Sequence, residues 1–452
     1  MKKKYGTGKW KITKSQIIVI GFLSLILFGS VLLMLPVAAR NGNGTPFIDA
    51  LFTATTATCV TGLVVHDTFS YWSIFGQIVI LCLIQIGGLG FMTLATLFSL
   101  AVRRKISYNE RLLISESLGK DSAQGVVSLT QHLLIGTIVI ESAGMLILAV
   151  KFIPTMGFST GLYYAIFHSV SAFCNAGIDL MGQFGPYSSL TAYADDWVVN
   201  LTIMSLIIIG GLGFMVWENI YRSKSFRDLS VHSKLVLIIT VFLIVMGTLL
   251  ILLFEYDNPE TLADKPWDEK ILASLFQSVT CRTAGFNTID LAQMRNASII
   301  VMTILMFIGG APGSTAGGVK VTVIGILLFT ILSTMRGRDD VNVMGKRLGG
   351  NNVFRAMMIF IIAMVILCTG TLLLCAFEDI SIRESVFEIA SALGTVGLSL
   401  GITPSFGLPA KIMLICIMFM GRVGVFTMAV SISLKNNKAQ PKIRYPEDRI
   451  MI

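Results

Sequence analysis

The sequence predicts an all-α polytopic membrane protein: four parallel helix–pore helix–helix repeats with pseudo-fourfold symmetry around one central pore. Three observations predict it. The chain has 452 residues, 54% hydrophobic and only 13% charged, against about 25% charged in soluble domains. Apolar runs of 18 or more residues recur, each long enough to cross a hydrocarbon core of roughly 30 Å as a helix. A pattern of span, short mixed segment, span occurs four times.

The elements follow in order. Residues 1–14, MKKKYGTGKWKITK, are too long and too charged for a signal peptide and carry no cleavage site, so they read as a retained basic tail. Eight spans lie near 15–36, 71–101, 131–152, 196–221, 232–254, 297–334, 353–377 and 409–434. Between the members of each pair lie 47–58, 162–173, 269–281 and 383–394, each too short to span as a helix. Repeat 1 is thus 15–101, repeat 2 131–221, repeat 3 232–334 and repeat 4 353–434, and 435–452 is a second tail.

Charge sets the orientation. Both tails and the loops 102–120, 222–234 and 335–355 hold 25 of the 35 Lys and Arg. All lie on one side if the short segments re-enter without crossing. The opposite side is acidic, with Glu255, Asp257, Glu260, Asp264 and Asp268 in one stretch. The positive-inside rule then places both termini in the cytoplasm of a multi-pass plasma-membrane protein. The net charge of +9 is therefore a topology signal, and no nucleic-acid partner is expected. Seven scattered cysteines and four scattered histidines give no disulfide framework, metal spacing or clustered catalytic set, so no enzyme is expected.

The short segments align. ALFTATTATCVTGL, AIFHSVSAFCNAGI, SLFQSVTCRTAGF and SVFEIASALGTVGL each place a Phe nine or ten residues before a glycine: Gly62, Gly177, Gly285 and Gly397. The third copy is one residue short, which leaves its register open by one position. The spans that follow carry IQIGGLGF (84–91), IIIGGLGF (207–214), FIGGAPGSTAGGVK (307–320) and FMGRVGVF (419–426). Parallel copies disfavour the inverted repeats of many secondary transporters. Irregular backbone at membrane depth is tolerated where it lines a water-filled path or is buried in protein. Glycine reaches φ > 0 without steric cost, and a ring of carbonyls replaces an ion's hydration shell. Short helices aiming their partly negative C-terminal ends at the axis favour a cation. Each glycine's two predecessors supply neighbouring carbonyls: Val60 and Thr61, Asn175 and Ala176, Thr283 and Ala284, Thr395 and Val396. The GG pairs at 87–90 and 210–213 read as packing or bending devices.

In repeat 3 the second span is interrupted by Gly309, Gly310, Ala311, Pro312 and Gly313, then by Ser314, Thr315, Ala316, Gly317 and Gly318. Five glycines and a proline in ten residues do not stay helical, so a gating loop is expected just inside the filter. Lys320 ends it. Arg422 falls about where Leu89 and Leu212 sit in repeats 1 and 2. An arginine at a helix centre costs roughly 2.5–3.5 kcal/mol on insertion scales, so Arg422 is expected to face the cavity and repel cations or pair with the loop. Glu141 reads as a hydrogen-bonded packing residue. Arg282, set against Cys59 or Val60, Asn175 and Thr395 in the other copies, reads as a brace behind the filter, paired with carbonyls or with a carboxylate such as Glu388 of the next pore helix.

SVTCRTAGFN (278–287), GTVGLSLGIT (394–403), the GG motifs and the Gly-rich break resemble the Trk/Ktr/HKT superfamily of potassium transporters. Length and short tails are closest to the bacterial Ktr-type membrane subunit. The resemblance covers about 15–434; Cys281 departs from a proline expected there. It implies one filter glycine per repeat, and glycine in all four favours potassium. It also implies an intramembrane gating loop, a homodimer with a pore in each subunit, dimerisation through 443–452, and a KtrA-like cytosolic nucleotide-binding ring on the basic face. Potassium would be the transported ion and sodium a candidate activator, with no nucleotide bound by this chain. A strictly sodium- or proton-coupled potassium symporter stays open beside a potassium-selective channel.

Overall fold

The computed structural model describes residues 14–90, 111–112, 124–338 and 340–424. The expected basic N-terminal tail, most of the 102–120 loop, the inner ends of the second and eighth spans, and the C-terminal tail lie outside the described residues.

Each unit opens on a long apolar helix: α1 (Lys14–Met34), α5 (Val126–Met156), α9 (Val231–Glu255) and α13 (Gly350–Phe377). Each has an uninterrupted apolar stretch long enough to cross a bilayer. Their outer faces carry Phe28, Val31, Val139, Val150, Leu253 and Leu372, all more than half exposed. Apolar side chains fully presented on four helices suit a lipid environment, not water.

A short helix follows in each unit: α2 (Phe47–Thr58), α6 (Phe158–Phe173), α10 (Trp267–Thr280) and α14 (Ile382–Gly394). The last begins with a capping box, Ser381 with Glu384, which satisfies orphan N–H groups at its start. These helices are buried along most of their C-terminal halves.

The second spans are the surprise. The interruption was expected in repeat 3; in the other three repeats the second helix also stops short of the expected span. α4 (Ile74–Leu89), reached through the one-turn α3 (Thr68–Tyr71), stops at Gly90. α7 (Trp197–Gly211) is followed after Gly213 by α8 (Phe214–Arg222), bent away by 94°. α11 (Asn296–Phe307) and α12 (Val321–Met335) are separated by the Gly-rich segment. α15 (Leu408–Val423) stops at Gly424. Gly90, Gly213 and Gly424 share one backbone conformation, φ 83, 90 and 91°, which a Cβ would strain.

The units close on one another. Within each, the first helix packs on the short helix and on the second helix. Between units, α4 packs on α6, α7 on α10, α11 on α14, and α15 back on α2. A two-stranded hairpin, β1 (Asn342–Val343) with β2 (Lys346–Arg347), is the only sheet among the described residues. Met344 and Gly345 both have positive φ, as a tight two-residue hairpin turn requires.

Candidate functional site

Each short helix ends in a left-handed residue two positions before a left-handed glycine. The pairs are Val60/Gly62, Asn175/Gly177, Thr283/Gly285 and Thr395/Gly397, with φ between 52 and 93°. A β-branched residue at such φ is a real outlier, and three of these four loops contain one. Strain of this kind persists only where the surroundings enforce it.

The four glycines meet. A Cβ added to Gly62 would run into the carbonyl oxygen of Ala176; one on Gly177 into that of Ala284; one on Gly285 into that of Val396; one on Gly397 into that of Thr61. The order is closed, each loop abutting the next. Glycine is required at all four, both for φ and for the approach. Above them lies an open cavity of about 430 Å³ with all four glycines at its floor and Asp67, Asp179 and Asp290 in its walls.

The open register of the third copy is resolved on Gly285. The residue before each glycine donates its N–H back to the short helix: Thr61 to Thr56, Ala176 to Ser171 and Val396 to Ser391, five residues back. In the third copy Ala284 donates to Thr280, only four back. The missing residue is thus absorbed at the helix end. The same alignment corrects the placement of Arg282. Its counterparts are Cys59, Cys174 and Gly394, three before the glycine; Val60, Asn175 and Thr395 match Thr283. The brace to Glu388 is not formed. Arg282 is buried, has no carboxylate within ion-pair distance among the described residues, and leaves its Nε unpartnered. Glu388 instead accepts from the Thr403 hydroxyl, because its turn of α14 faces the outer 399–403 loop.

Four hydroxyls escaped sequence reasoning. Thr56 accepts from the N–H of Gly62 (2.9 Å) and Ser391 from that of Gly397 (3.0 Å). Ser171 donates to the carbonyl of Ile178 (2.6 Å) and Thr280 to that of Phe286 (2.6 Å). Each pins its loop to its own helix. The signal was present as a Ser or Thr six residues before the glycine, or five in the short copy. It was legible only as a small polar residue.

The Gly-rich segment is ordered by other units. Gly309 N–H donates to Val319 O (2.8 Å), and Ile308 and Val319 form a parallel bridge. Ala311 and Thr315 donate to Gly211 O and Gly210 O, while Phe214 donates to Gly313 O. Lys320 Nζ donates to Ala316 O (2.7 Å) and Gly317 O (3.2 Å), folding the ammonium into the loop. A Cβ on Gly317 would run into Thr395 Oγ1. With Thr315 Oγ1 donating to Asn175 Oδ1, the segment lies against the loops that carry Gly177 and Gly397.

Arg422 reaches across to it, donating to Thr315 O and to the carbonyls of Gly87 and Gly88. Its assigned register is corrected by one. Gly87, Gly210 and Gly421 each press on the carbonyl four residues before Gly62, Gly177 and Gly397, at Thr58, Phe173 and Leu393. With Gly90, Gly213 and Gly424 also matched, Arg422 stands where Gly88 and Gly211 stand, not at Leu89 and Leu212. The GG pairs therefore do both expected jobs, packing and bending. Glu141 accepts from Gln85 Nε2 (3.1 Å), as a packing residue between α4 and α5 would.

The family model described as TrkH, a cation transport protein, matches residues 9–441. The potassium/sodium uptake protein NtpJ of Enterococcus hirae is 40% identical, over 98% of each chain. The Ktr system potassium uptake protein B of Bacillus subtilis is 39% identical, over 98% of this chain and 97% of its own. The crystal structure of the potassium transporter TrkH from Vibrio parahaemolyticus superposes with a TM-score of 0.74 at 20% identity, covering 95% of this chain and 86% of that one; this likeness is one of fold. The match across nearly the whole length makes this chain a member of the TrkH cation transport protein family.

Proposed function

We propose that this chain is the ion-translocating membrane subunit of a Ktr-type potassium uptake system. Potassium passes a backbone-carbonyl filter made by one loop from each of four repeats around a single pseudo-fourfold axis. The observation that carries this reading is the closed contact of Gly62, Gly177, Gly285 and Gly397, each with the carbonyl of the next loop. Such a ring substitutes protein oxygens for an ion's hydration shell. The C-terminal ends of α2, α6, α10 and α14 add partial negative charge at the same place.

Residues 309–318 are the gate. They lie beneath the filter and close the path; Lys320 stabilises their fold and Arg422 latches them to repeat 1. Their opening requires loss of the Arg422 bonds or of the bonds to Gly210 and Gly211. A homodimer, with both termini cytoplasmic and a KtrA-like nucleotide-binding ring on the basic inner face, supplies the control. The name of the Bacillus subtilis relative, a Ktr system protein, supports such a partner. Sodium acts as activator in this reading. The name of the Enterococcus hirae relative, potassium/sodium uptake, also favours a second reading, strict coupling of the two ions.

The test is rescue of a bacterium lacking potassium uptake, with the chain co-expressed with its ring subunit. Growth at low potassium is expected; failure with both proteins present in the membrane overturns the proposal. In vesicles, a current reversing at the potassium equilibrium potential despite an opposing sodium gradient excludes strict coupling.

A further inference from the structure

Asn175 sits at a junction that neither the filter nor the gate alone explains. Its side-chain Nδ2 donates to Thr283 Oγ1 (3.2 Å) and, more distantly, to Arg282 O (3.4 Å). Its Oδ1 accepts from Thr315 Oγ1 (3.1 Å), whose hydroxyl also lies 3.2 Å from Phe173 O. The amide orientation follows from chemistry, since Arg282 O is an acceptor only and must face the nitrogen. Asn175, Thr283 and Thr315 are all fully buried. One side chain from the filter loop of repeat 2 thus touches the filter loop of repeat 3 and the intramembrane loop.

Two features make the junction more than packing. Asn175 and Thr283 are both left-handed, at φ 59 and 72°. Asparagine tolerates this region; a β-branched threonine does not. The Asn175 amide holds the Thr283 hydroxyl in place. The equivalent Thr395 has no partner for its hydroxyl among the described residues, so the hold belongs to the repeat 2–repeat 3 seam. Gly210 keeps the space open: a Cβ there would press on Phe173 O and lie 2.8 Å from Asn175 Oδ1 and 2.9 Å from Thr315 Oγ1.

We infer that Asn175 is a positioning residue that couples the intramembrane loop to the filter, so that docking of Thr315 sets the geometry, and the ion preference, of the Thr283 segment. The inference rests on the filter and gate proposed above. When the loop leaves, the Asn175 amide loses its anchor and Thr283 relaxes. The gate then acts on selectivity as well as on flow.

The experiment measures potassium and sodium flux through the full-length chain in vesicles for wild type, Thr315→Val, Thr315→Ser and Asn175→Ser. Thr315→Val is nearly isosteric and lacks only the hydroxyl. It is expected to lower the potassium-to-sodium flux ratio about fivefold, the effect of one buried hydrogen bond, while Thr315→Ser restores it. Asn175→Ser is expected to lower the ratio similarly, and adding Thr315→Val to it to lower it no further. A Thr315→Val protein with raised flux and an unchanged ratio makes the loop a plug only and overturns the coupling. Should Thr315→Val fail to give monodisperse protein, an unchanged ratio in Asn175→Ser overturns it equally. A wild type with no potassium-preferring flux overturns the filter reading, and the coupling with it.

Discussion

The GG pairs of repeats 1 and 2 are near-identical in sequence, IQIGGLGF and IIIGGLGF, yet their helix ends are satisfied by different donors. The last carbonyls of any helix lack intrahelical partners. In repeat 2, Gly210 and Gly211 receive the backbone N–H groups of Thr315 and Ala311. In repeat 1, Gly87 and Gly88 receive the guanidinium of Arg422. One side of the loop is thus held by neutral backbone bonds and the other by a charged latch. Hydrogen bonds to charged groups contribute about 1.5–3 kcal/mol, against about 1 kcal/mol for neutral ones. The lesson is that identical motifs became two kinds of dock, because repeats 3 and 4 present different partners to them.

The largest effect is expected where the dock touches the filter. Gly210→Ala would drive a methyl into Phe173 O and the Asn175–Thr315 junction. Overpacking of this kind costs about 1–3 kcal/mol, so thermal stability in detergent and potassium flux should both fall. The adjacent Gly211→Ala meets only Asn175 Nδ2 at 3.6 Å and should leave both nearly unchanged. Equal effects at the two positions would break the account of the repeat 2 dock.

Next comes the latch. Arg422→Gln removes the charge that binds repeat 1 to the loop. Basal flux should rise about tenfold, as loss of roughly 1.4 kcal/mol implies. An unchanged flux would show that the neutral bonds of repeat 2 suffice. A smaller effect belongs to the hydroxyl pins. Ser391→Ala or Thr280→Val removes about 1 kcal/mol and should lower potassium-over-sodium preference several-fold. Thr280→Val is the more damaging of the two, because its loop is already one residue short. Equal losses would separate the pins from loop length.

The smallest effect tests the outer end of repeat 2. Asp196 N-caps α7 and bonds Lys151 at 2.8 Å. Burial works against its charge, but Lys151 and the N–H groups of Val198 and Val199 outweigh it and hold the carboxyl below its usual range. A depressed carboxylate stabilises above its unfolded pKa, about 3.9, and that stabilisation is lost as pH falls through the folded value. Asp196→Ala should lower the melting temperature slightly at pH 6–7, as loss of a cap of about 1 kcal/mol does. The difference should vanish under acid conditions.

Much of this was legible in the residues. The Phe-to-Gly spacing located the four glycines that meet at the centre, and the composition of Gly309–Gly318 announced the break between α11 and α12. In repeats 1 and 2 the GG pairs suggested packing or a bend, but not where each helix stops. Leu-Gly-Phe inside an apolar run looks like a helix, and only φ near +90° at Gly90 and Gly213 reveals the stop. Arg422, and the counterparts of Arg282 in repeats 2 and 4, were placed one residue off, while Cys59 was among the two positions read for repeat 1. Counting from the sequence has no way to tell which glycine presses on which carbonyl.

The sequence by itself determined membrane residence, four units and a glycine at each corner of the central contact. Those properties follow from local physics: apolar length against bilayer thickness, and backbone freedom where no Cβ is allowed. Only the tertiary structure decided who holds whom: Arg422 on repeat 1, the loop on repeat 2, and Asn175 between loop and filter. These contacts join residues more than a hundred positions apart, and a hydrogen bond over that separation leaves no periodicity in the chain from which to read it.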